Sequence, residues 1–229
     1  MDDYDDLQLS GHALAALQEF IQEQQLTQGK VATPSALPTV DSVDSGVDTT
    51  PKFSEDWKLS QFWYHDTTAE FYAQLALRYA VTESQGPVAF VSSPTAFIKL
   101  KELEDGPTEA FLLEYDSRFA TYGEQFVKYD FHKPLELGSF KAYKGRMKCI
   151  FVDPPYLEED CLTKTALTVR YLAAPDCKIL ISTGFVVREL VQKLFEVKPT
   201  TYEPRHQNGL ANEFRLYTNF ESKELRWDI

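Results

Sequence analysis

The stretch Cys149–Tyr156, CIFVDPPY in one-letter code, is a short apolar run followed by an acid, two prolines and an aromatic residue. The run Cys149–Val152 is rich in strand-forming residues and predicts a buried strand. Two successive prolines cannot continue a strand ladder, because neither has an N–H to donate. The strand therefore ends at Asp153. The residues after it form a rigid loop at its carboxyl end, which is where open α/β sheets bind ligands.

On both sides of this stretch the sequence alternates between strand and helix patterns. The predicted strands are Val88–Val91, Ala110–Leu113, Phe126–Tyr129, Cys149–Val152, Lys178–Ser182, Val197–Tyr202 and Phe214–Phe220. The predicted helices cover residues 67–80, 94–103, 158–172 and 185–195. Alternation of this kind predicts a parallel sheet with helices on both faces. The last two strands have no helix between them, which predicts a hairpin and one antiparallel strand. We therefore expect the α/β, Rossmann-like, seven-stranded sheet of class I methyltransferases.

The chain before this domain divides into two predicted segments. Residues 1–26 form an acidic tail and an amphipathic helix, which begins near Leu9 with Ser10 as its cap. Residues 27–52 are poor in large apolar side chains and rich in Ser, Thr, Pro, Val and Asp, so they predict a flexible linker. The remaining residues, 53–229, form the methyltransferase domain.

Composition limits the functions that the chain can have. The formal net charge of −12 argues against a protein that binds nucleic acid through its phosphates and fits a basic protein partner better. The acidic N-terminus does not resemble a targeting peptide, and no apolar run is long enough to span a membrane. Three cysteines and four scattered histidines predict neither a disulfide framework nor a metal site. We expect a cytoplasmic monomer.

The loop Asp153-Pro154-Pro155-Tyr156 is similar to motif IV, (D/N/S)PP(Y/F/W), of amino-group methyltransferases. A carboxylate and the Pro154 carbonyl can hold an amino group by its N–H bonds while the Tyr156 ring covers it. These four residues are the predicted catalytic group. The alternative is a simple turn after a strand, with Tyr156 as a packing residue.

The first strand-to-helix turn, Ser92-Ser93-Pro94-Thr95, has no glycine. Glycines in this turn let the backbone approach a pyrophosphate, so their absence argues against a dinucleotide. S-adenosylmethionine carries no phosphate, and a turn with small hydroxyl residues can still serve it. Ser92 and Ser93 are therefore predicted cofactor contacts.

Acidic residues follow two further strands. Glu114 can accept hydrogen bonds from both ribose hydroxyls, and Tyr115 beside it can stack on adenine. Asp130 can accept from the adenine amino group while Phe131 lines the ring. Alone, each acid is an ordinary solvated loop carboxylate. Together with Asp153, they place three carboxylates at the carboxyl ends of successive strands, which favours a binding site.

An aromatic cluster, Trp57–Tyr64, precedes the first predicted helix. It can close over a flat ligand such as an adenine ring, with Phe62 and Trp63 as cofactor contacts and Tyr64 on the substrate side. The alternative is a set of core aromatics. The sequence leaves both open.

Several stretches of the chain resemble the eukaryotic elongation factor 1-alpha lysine methyltransferase family, first grouped with N6-adenine DNA methyltransferases because of its DPPY motif. They are His12–Phe20, Leu59–Tyr64, Glu114–Phe119, Asp153–Leu157, Glu203–His206 and Ala211–Arg215. The resemblance implies transfer of methyl from S-adenosylmethionine to a lysine of elongation factor 1-alpha. It also suggests a substrate surface at Arg205, His206 and Asn212, where the alternative is a hairpin turn with a paired arginine.

Two other functions stay open at this stage. An N6-adenine nucleic-acid methyltransferase would use the same DPPY loop, with base flipping for a duplex target. A non-catalytic module would bind a partner through the N-terminal helix. The acidic charge disfavours the first, and the intact DPPY loop disfavours the second.

Overall fold

The computed structural model describes residues 53–54, 61–79, 86–105, 108–209 and 212–228. All of them belong to one compact unit, Lys52–Ile229. The predicted N-terminal helix and the predicted linker lie outside the described residues. No helix in the described ranges is long and apolar enough to cross a membrane.

Seven strands form a single sheet in the order β3-β2-β1-β4-β5-β7-β6. The strands are β1 (Val88–Val91), β2 (Ala110–Glu114), β3 (Phe126–Lys128), β4 (Met147–Val152), β5 (Ala173–Gly184), β6 (Lys198–Pro199) and β7 (Phe214–Thr218). The α-helices are α1 (Asp66–Leu77), α2 (Pro94–Leu103), α3 (Glu159–Leu172) and α4 (Arg188–Phe195). Short 3₁₀ helices cover Ser117–Gln125, Gly138–Tyr143 and Phe185–Val187.

Strand directions confirm the predicted fold class. β1 is parallel to both its neighbours, with Val91 opposite Leu113 of β2 and Val152 of β4. β7 is antiparallel to β5 and β6, so it is the one strand that runs against the rest. From β1 the chain builds the sheet outward to β2 and β3, and then returns to add β4 on the other side. The carboxyl ends of β1 and β4 therefore flank the crevice where a doubly wound sheet binds its ligand.

Both faces of the central strands are buried, which explains their unbroken apolar runs. Because side chains alternate along a strand, Phe90 of β1 and Phe151 of β4 point to the face covered by α1 and α2, with ring centroids 5.3 Å apart. Val91 and Val152 point to the opposite face and join the core that includes residues of α3 and α4. The sheet is thus covered on both faces, whereas the carboxylates of Glu114 and Asp153 lie at strand ends.

Three predicted elements differ most from the structure, whereas shifts of about two residues occur elsewhere, as at the start of β4 and the end of β7. β5 begins at Ala173, directly after α3, rather than at Lys178. The regular ladder of β6 covers only Lys198–Pro199, not residues 197–202. Beyond it the pairing with β7 is irregular: Thr200 N donates to Leu216 O at 2.8 Å and Leu216 N to Tyr202 O at 3.3 Å, while Thr200 also bridges to Trp227. The helix predicted at 185–195 is a 3₁₀ turn followed by α4.

The turn after β1 adopts the backbone that a glycine would favour, although it contains none. Ser92 has φ 53°, in the left-handed region, and its N–H donates to Leu113 O at 2.8 Å. Ser93 then occupies the N-cap of α2, with Pro94 at the first helical position, but its hydroxyl makes no capping hydrogen bond. The sharp turn is therefore present, and it is made by a strained serine.

Substitution of Ser92 tests this strain. Ser92→Val should lower the free energy of unfolding by about 1–2 kcal/mol, because a β-branched residue fits poorly at positive φ. The free energy of unfolding of Ser92→Gly should exceed that of Ser92→Val by at least that margin, since glycine has no Cβ to clash. Urea unfolding of the two variants measures the difference, and equal stabilities would contradict the turn geometry.

Candidate active site

A cavity of about 440 Å³ opens at the carboxyl ends of the parallel strands. Its wall includes Ser92 after β1, Glu114 at the end of β2, Asp130 after β3 and Asp153 after β4. Phe214 closes the far side from the first position of β7, which is antiparallel and so begins where the other strands end. The crevice expected from the strand order is therefore a formed site.

Most of the predicted site residues line this cavity. They are Phe62, Trp63, Ser92, Glu114, Tyr115, Asp130, Phe131, Asp153, Pro154, Pro155, Tyr156, His206 and Asn212. Three do not line it. Ser93 is buried in the cap of α2, Tyr64 is buried behind Asp153, and Arg205 lies beside the wall with its carbonyl accepting from His65 N at 2.8 Å. These three positions do not support direct ligand contact.

Asp153 is held from two directions at the end of β4. Its N–H donates to Val91 O at 3.0 Å, which keeps the backbone in the sheet up to the first proline. The Tyr64 hydroxyl donates to Asp153 Oδ2 at 2.6 Å. Burial raises the pKa of Asp153 to about 7; the Tyr64 hydrogen bond opposes this rise, and the nearby Glu114 carboxylate adds to it. Asp153 therefore changes its charge near neutral pH.

Tyr64 belongs to a short antiparallel pairing that positions one side of the cavity. Its backbone forms an isolated bridge with His206, and Gln207 N donates to Trp63 O at 2.9 Å. The ring centroids of Tyr64 and His206 are 4.8 Å apart. Residues 63–64 and 206–207 are distant in sequence. Their pairing brings Trp63 and His206 to the wall of the same cavity.

Glu114 is buried at the end of β2, with a side chain that accepts from Asp116 N at 3.0 Å. Burial raises the pKa of Glu114, and this outweighs the hydrogen bonds that favour its charged form. The Asp116 side chain in turn accepts hydrogen bonds from Arg118 Nε at 2.7 Å and from Gln61 Nε2 at 3.2 Å. This network attaches Gln61 to the end of β2.

The third carboxylate lies at the more exposed end of the site. Asp130 accepts from His132 N at 3.0 Å, and its Oδ1 is also 3.0 Å from His132 Nδ1. Burial alone would raise the pKa of Asp130, but these contacts outweigh it and lower that pKa. The Phe131 ring lies 5.7 Å from that of Tyr156, while Tyr115 is 52 % exposed at the rim. Aromatic side chains thus line the same cavity as a carboxylate whose pKa is lowered.

Other lining residues were not predicted as site residues. They are Gln61, Pro94, Thr95, Tyr129, His132, Leu157 and Phe214. Several carried a sequence signal, because they neighbour predicted site residues: Tyr129 precedes Asp130, and Leu157 follows the DPPY loop. The Leu157 side chain packs directly against Gly184. A Cβ added at Gly184 would lie 2.8 Å from Leu157 Cδ1, so the contact depends on the missing side chain. Gln61 also neighbours a predicted site residue, Phe62, but only the folded chain brings it to Asp116.

The charge of the wall is one-sided. Glu114, Asp130 and Asp153 line the cavity, whereas no lysine or arginine is among its described lining residues. Such a wall favours a cation and disfavours a phosphate. Within the part of the chain that the structure describes, no group of three or more His, Cys, Asp or Glu side chains could hold a metal ion.

Comparisons with known proteins extend these observations. The family model described as "Probable N6-adenine methyltransferase" matches residues 55–222. The chain is 42 % identical to the Homo sapiens EEF1A lysine methyltransferase 1 over 224 residues, covering 97 % of this chain and 96 % of that protein. It is 36 % identical to a Saccharomyces cerevisiae protein-lysine N-methyltransferase over 242 residues, covering 96 % of this chain and 94 % of that one.

Among solved structures, the chain is similar to Aeropyrum pernix fibrillarin, crystallised with natively bound S-adenosyl-L-methionine. The two are 11 % identical, and the match covers 69 % of this chain and 81 % of that chain with a TM-score of 0.44. The fold assignment rests on the strand order and strand directions described above.

The pKa of Asp153 predicts a dependence of stability on pH. An ordinary aspartate titrates at 3.8 and folded Asp153 at about 7, so the folded state binds the proton more tightly between these values. Raising the pH through this window therefore destabilises the wild-type protein, by about 4 kcal/mol at most. Asp153→Asn can still accept from Tyr64 but cannot ionise. Its melting temperature should exceed that of the wild type by a margin that grows from pH 5 to pH 8.

Asp130→Asn is the matched control, because Asp130 lines the same cavity with a lowered pKa. Its margin over the wild type should not grow in this range. A constant margin for Asp153→Asn between pH 5 and pH 8 would contradict the raised pKa.

Proposed function

The chain belongs to the EEF1A lysine methyltransferase family, and on this premise we propose that it transfers a methyl group from S-adenosylmethionine to a lysine ε-amine of elongation factor 1-alpha. The observation that carries the proposal is the acidic, aromatic cavity without lysine or arginine among its described lining residues. Both ligands of the proposed reaction are cations at the reacting centre, a sulfonium and an ammonium. A wall of carboxylates and aromatic faces attracts both.

The chemistry of the wall fits S-adenosylmethionine. Its nucleoside matches the end where Glu114 can accept from the ribose hydroxyls and Asp130 from the adenine amino group, with Tyr115 and Phe131 against the ring. Ser92 lies where a phosphate-binding fold would present glycines, and S-adenosylmethionine has no phosphate that would require them. When bound, it supplies an electrophilic methyl group on a positively charged sulfur.

The acceptor amine fits the other end of the cavity. Asp153 and the Pro154 carbonyl can receive its N–H bonds, and the Pro154 carbonyl is followed by a proline that offers no competing N–H. Tyr156 and Phe62, each about two-fifths exposed at 39 % and 41 %, provide apolar surface around the lysine stem. His206 lies on the same wall. This end is open enough to admit a side chain from another protein.

The amine must lose a proton before it can accept the methyl group. Free lysine has a pKa of about 10.4, so at neutral pH only about one side chain in 10³ has a lone pair. The aromatic wall lowers that pKa by desolvation, whereas a close carboxylate raises it. Asp153 therefore does not act through its charge alone. It orients the N–H bonds so that the lone pair points toward the methyl donor, and rate enhancement comes mainly from proximity and orientation.

A nucleic-acid substrate fits this site less well. The family model carries an adenine methyltransferase description, and the DPPY loop could hold the amino group of adenine. Nucleic-acid binding, however, depends on basic side chains that contact phosphates, and the chain has a net charge of −12. A protein lysine is the better substrate, and with elongation factor 1-alpha as that substrate we propose that the enzyme acts in the cytoplasm.

A labelling assay tests the proposed activity. The purified protein should transfer label from S-adenosylmethionine to elongation factor 1-alpha and not to duplex or single-stranded DNA. Asp153→Ala should lower kcat on the order of 10²-fold or more, with little change in cofactor affinity, because it removes the orienting group alone. Asp176→Ala should keep wild-type turnover, because it removes an exposed carboxylate near the start of β5, away from the carboxyl ends of the strands. Label on DNA alone, or full turnover by Asp153→Ala, would overturn the proposal.

Glu114→Gln tests the cofactor end separately. Glutamine can keep the hydrogen bond from Asp116 N but offers a weaker acceptor to the ribose, so affinity for S-adenosylhomocysteine should fall about tenfold or more. Glu109→Gln, just before the opposite end of β2, is the matched control and should leave affinity unchanged. Calorimetric titration measures both. Equal affinities in the two variants would remove Glu114 from the cofactor site.

A further inference from the structure

Tyr64 is buried and held by contacts of both its side chain and its backbone. Its side chain is 1 % exposed, packs edge-on to Tyr72 at 5.2 Å between ring centroids, and lies 4.8 Å from the His206 ring. The backbone bridge to His206 fixes the main chain at the same residue. The position of the hydroxyl is therefore set by packing on several sides, with Asp153 Oδ2 at 2.6 Å in front of it.

The hydrogen bond has a defined direction. Burial and the nearby Asp153 carboxylate hold the pKa of Tyr64 well above its ordinary value, so the phenol keeps its proton and donates it. The neighbouring Tyr72 hydroxyl donates elsewhere, to Ser182 Oγ at 3.2 Å. Among the hydrogen bonds of the described side chains, the one from Tyr64 is therefore the contact that orients the Asp153 carboxylate.

The groups around Asp153 oppose one another. Glu114 faces it from β2 and disfavours its charge, and burial does the same. Tyr72 faces it from α1 as a neutral phenol, and His206 faces the Tyr64 ring from the loop before β7. The hydrogen bond from Tyr64 is what favours the carboxylate. Removing it leaves the disfavouring contributions of burial and Glu114 in place.

From this geometry we infer that Tyr64 is a positioning residue for the reaction: it holds Asp153 Oδ2 from behind, so that the other carboxylate oxygen faces the cavity and receives the acceptor amine. The catalytic consequence of this inference rests on the proposed function. The coupling between Tyr64 and Asp153 does not depend on it. Since Tyr64 also pairs with the His206 segment, it joins the acceptor wall to the DPPY loop. The sequence had suggested Tyr64 for the substrate side, and its buried position gives it this indirect role.

A titration of the free protein tests the coupling without any substrate. Asp carboxyl carbons are labelled with ¹³C and followed by NMR against pH, and the Asp153 signal is assigned by its loss in Asp153→Asn. In Tyr64→Phe the Asp153 midpoint should rise by about one pH unit, because one hydrogen bond to the charged form is lost. Tyr72→Phe, which removes a neighbouring buried hydroxyl bonded to Ser182, should leave the midpoint in place. An unmoved midpoint in Tyr64→Phe would overturn the inference.

Kinetics then test the consequence for methyl transfer. Tyr64→Phe should lower kcat about tenfold at pH 7 and move the acid limb of its pH profile upward by about one unit, with the KM for S-adenosylmethionine little changed. In an Asp153→Asn background the same substitution should cost less than about twofold. Equal losses in both backgrounds would mean that Tyr64 acts only through general structure. If the wild type fails to methylate elongation factor 1-alpha, the proposed function falls, and the titration alone decides the coupling.

Discussion

The rest of the site depends on the way β4 ends. The strand is buried on both faces and lies between β1 and β5, so it can stop only where its backbone can no longer pair. Asp153 still donates to Val91 O, and the two prolines after it have no N–H to extend the ladder. The chain therefore leaves the sheet at the crevice between β1 and β4. Asp153 marks the last paired position, and Tyr156 lies beyond it at the rim.

Burial of this carboxylate has a cost in stability that ordinary core packing would avoid. Asp153 and Glu114 both have raised pKa values because protein surrounds them, and the Glu114 carboxylate further disfavours the charge of Asp153. A core without ligands would replace such groups with apolar side chains. Both lie at strand ends on the two sides of β1, in a cavity without a lysine or arginine among its described lining residues. This is the expected arrangement where the compensating positive charge arrives with the ligand.

Sequence patterns predicted the sheet well because burial on two faces leaves a strong signal. Val88–Val91 has the predicted bounds, and the family resemblance is confirmed by 42 % identity to a relative over nearly the whole chain. The pattern failed where local chemistry is ambiguous. Residues 197–202 have a strand pattern, yet only Lys198–Pro199 form a regular ladder, and the hydrogen bonds to β7 beyond them are irregular. The glycine-free turn carried no sequence sign of a residue at positive φ, yet Ser92 adopts the left-handed conformation.

The sequence by itself determined the fold class and the three acidic strand ends, because strand periodicity and proline chemistry act over a few neighbouring residues. Only the tertiary structure decided how these parts act on one another. It placed Gln61 beside Asp116 and paired Tyr64 with His206, residues separated by 55 and 142 positions in the chain. It also placed the Tyr64 hydroxyl behind Asp153 and not in the cavity. Such contacts depend on how helices and loops pack over the finished sheet, and no local pattern records that packing.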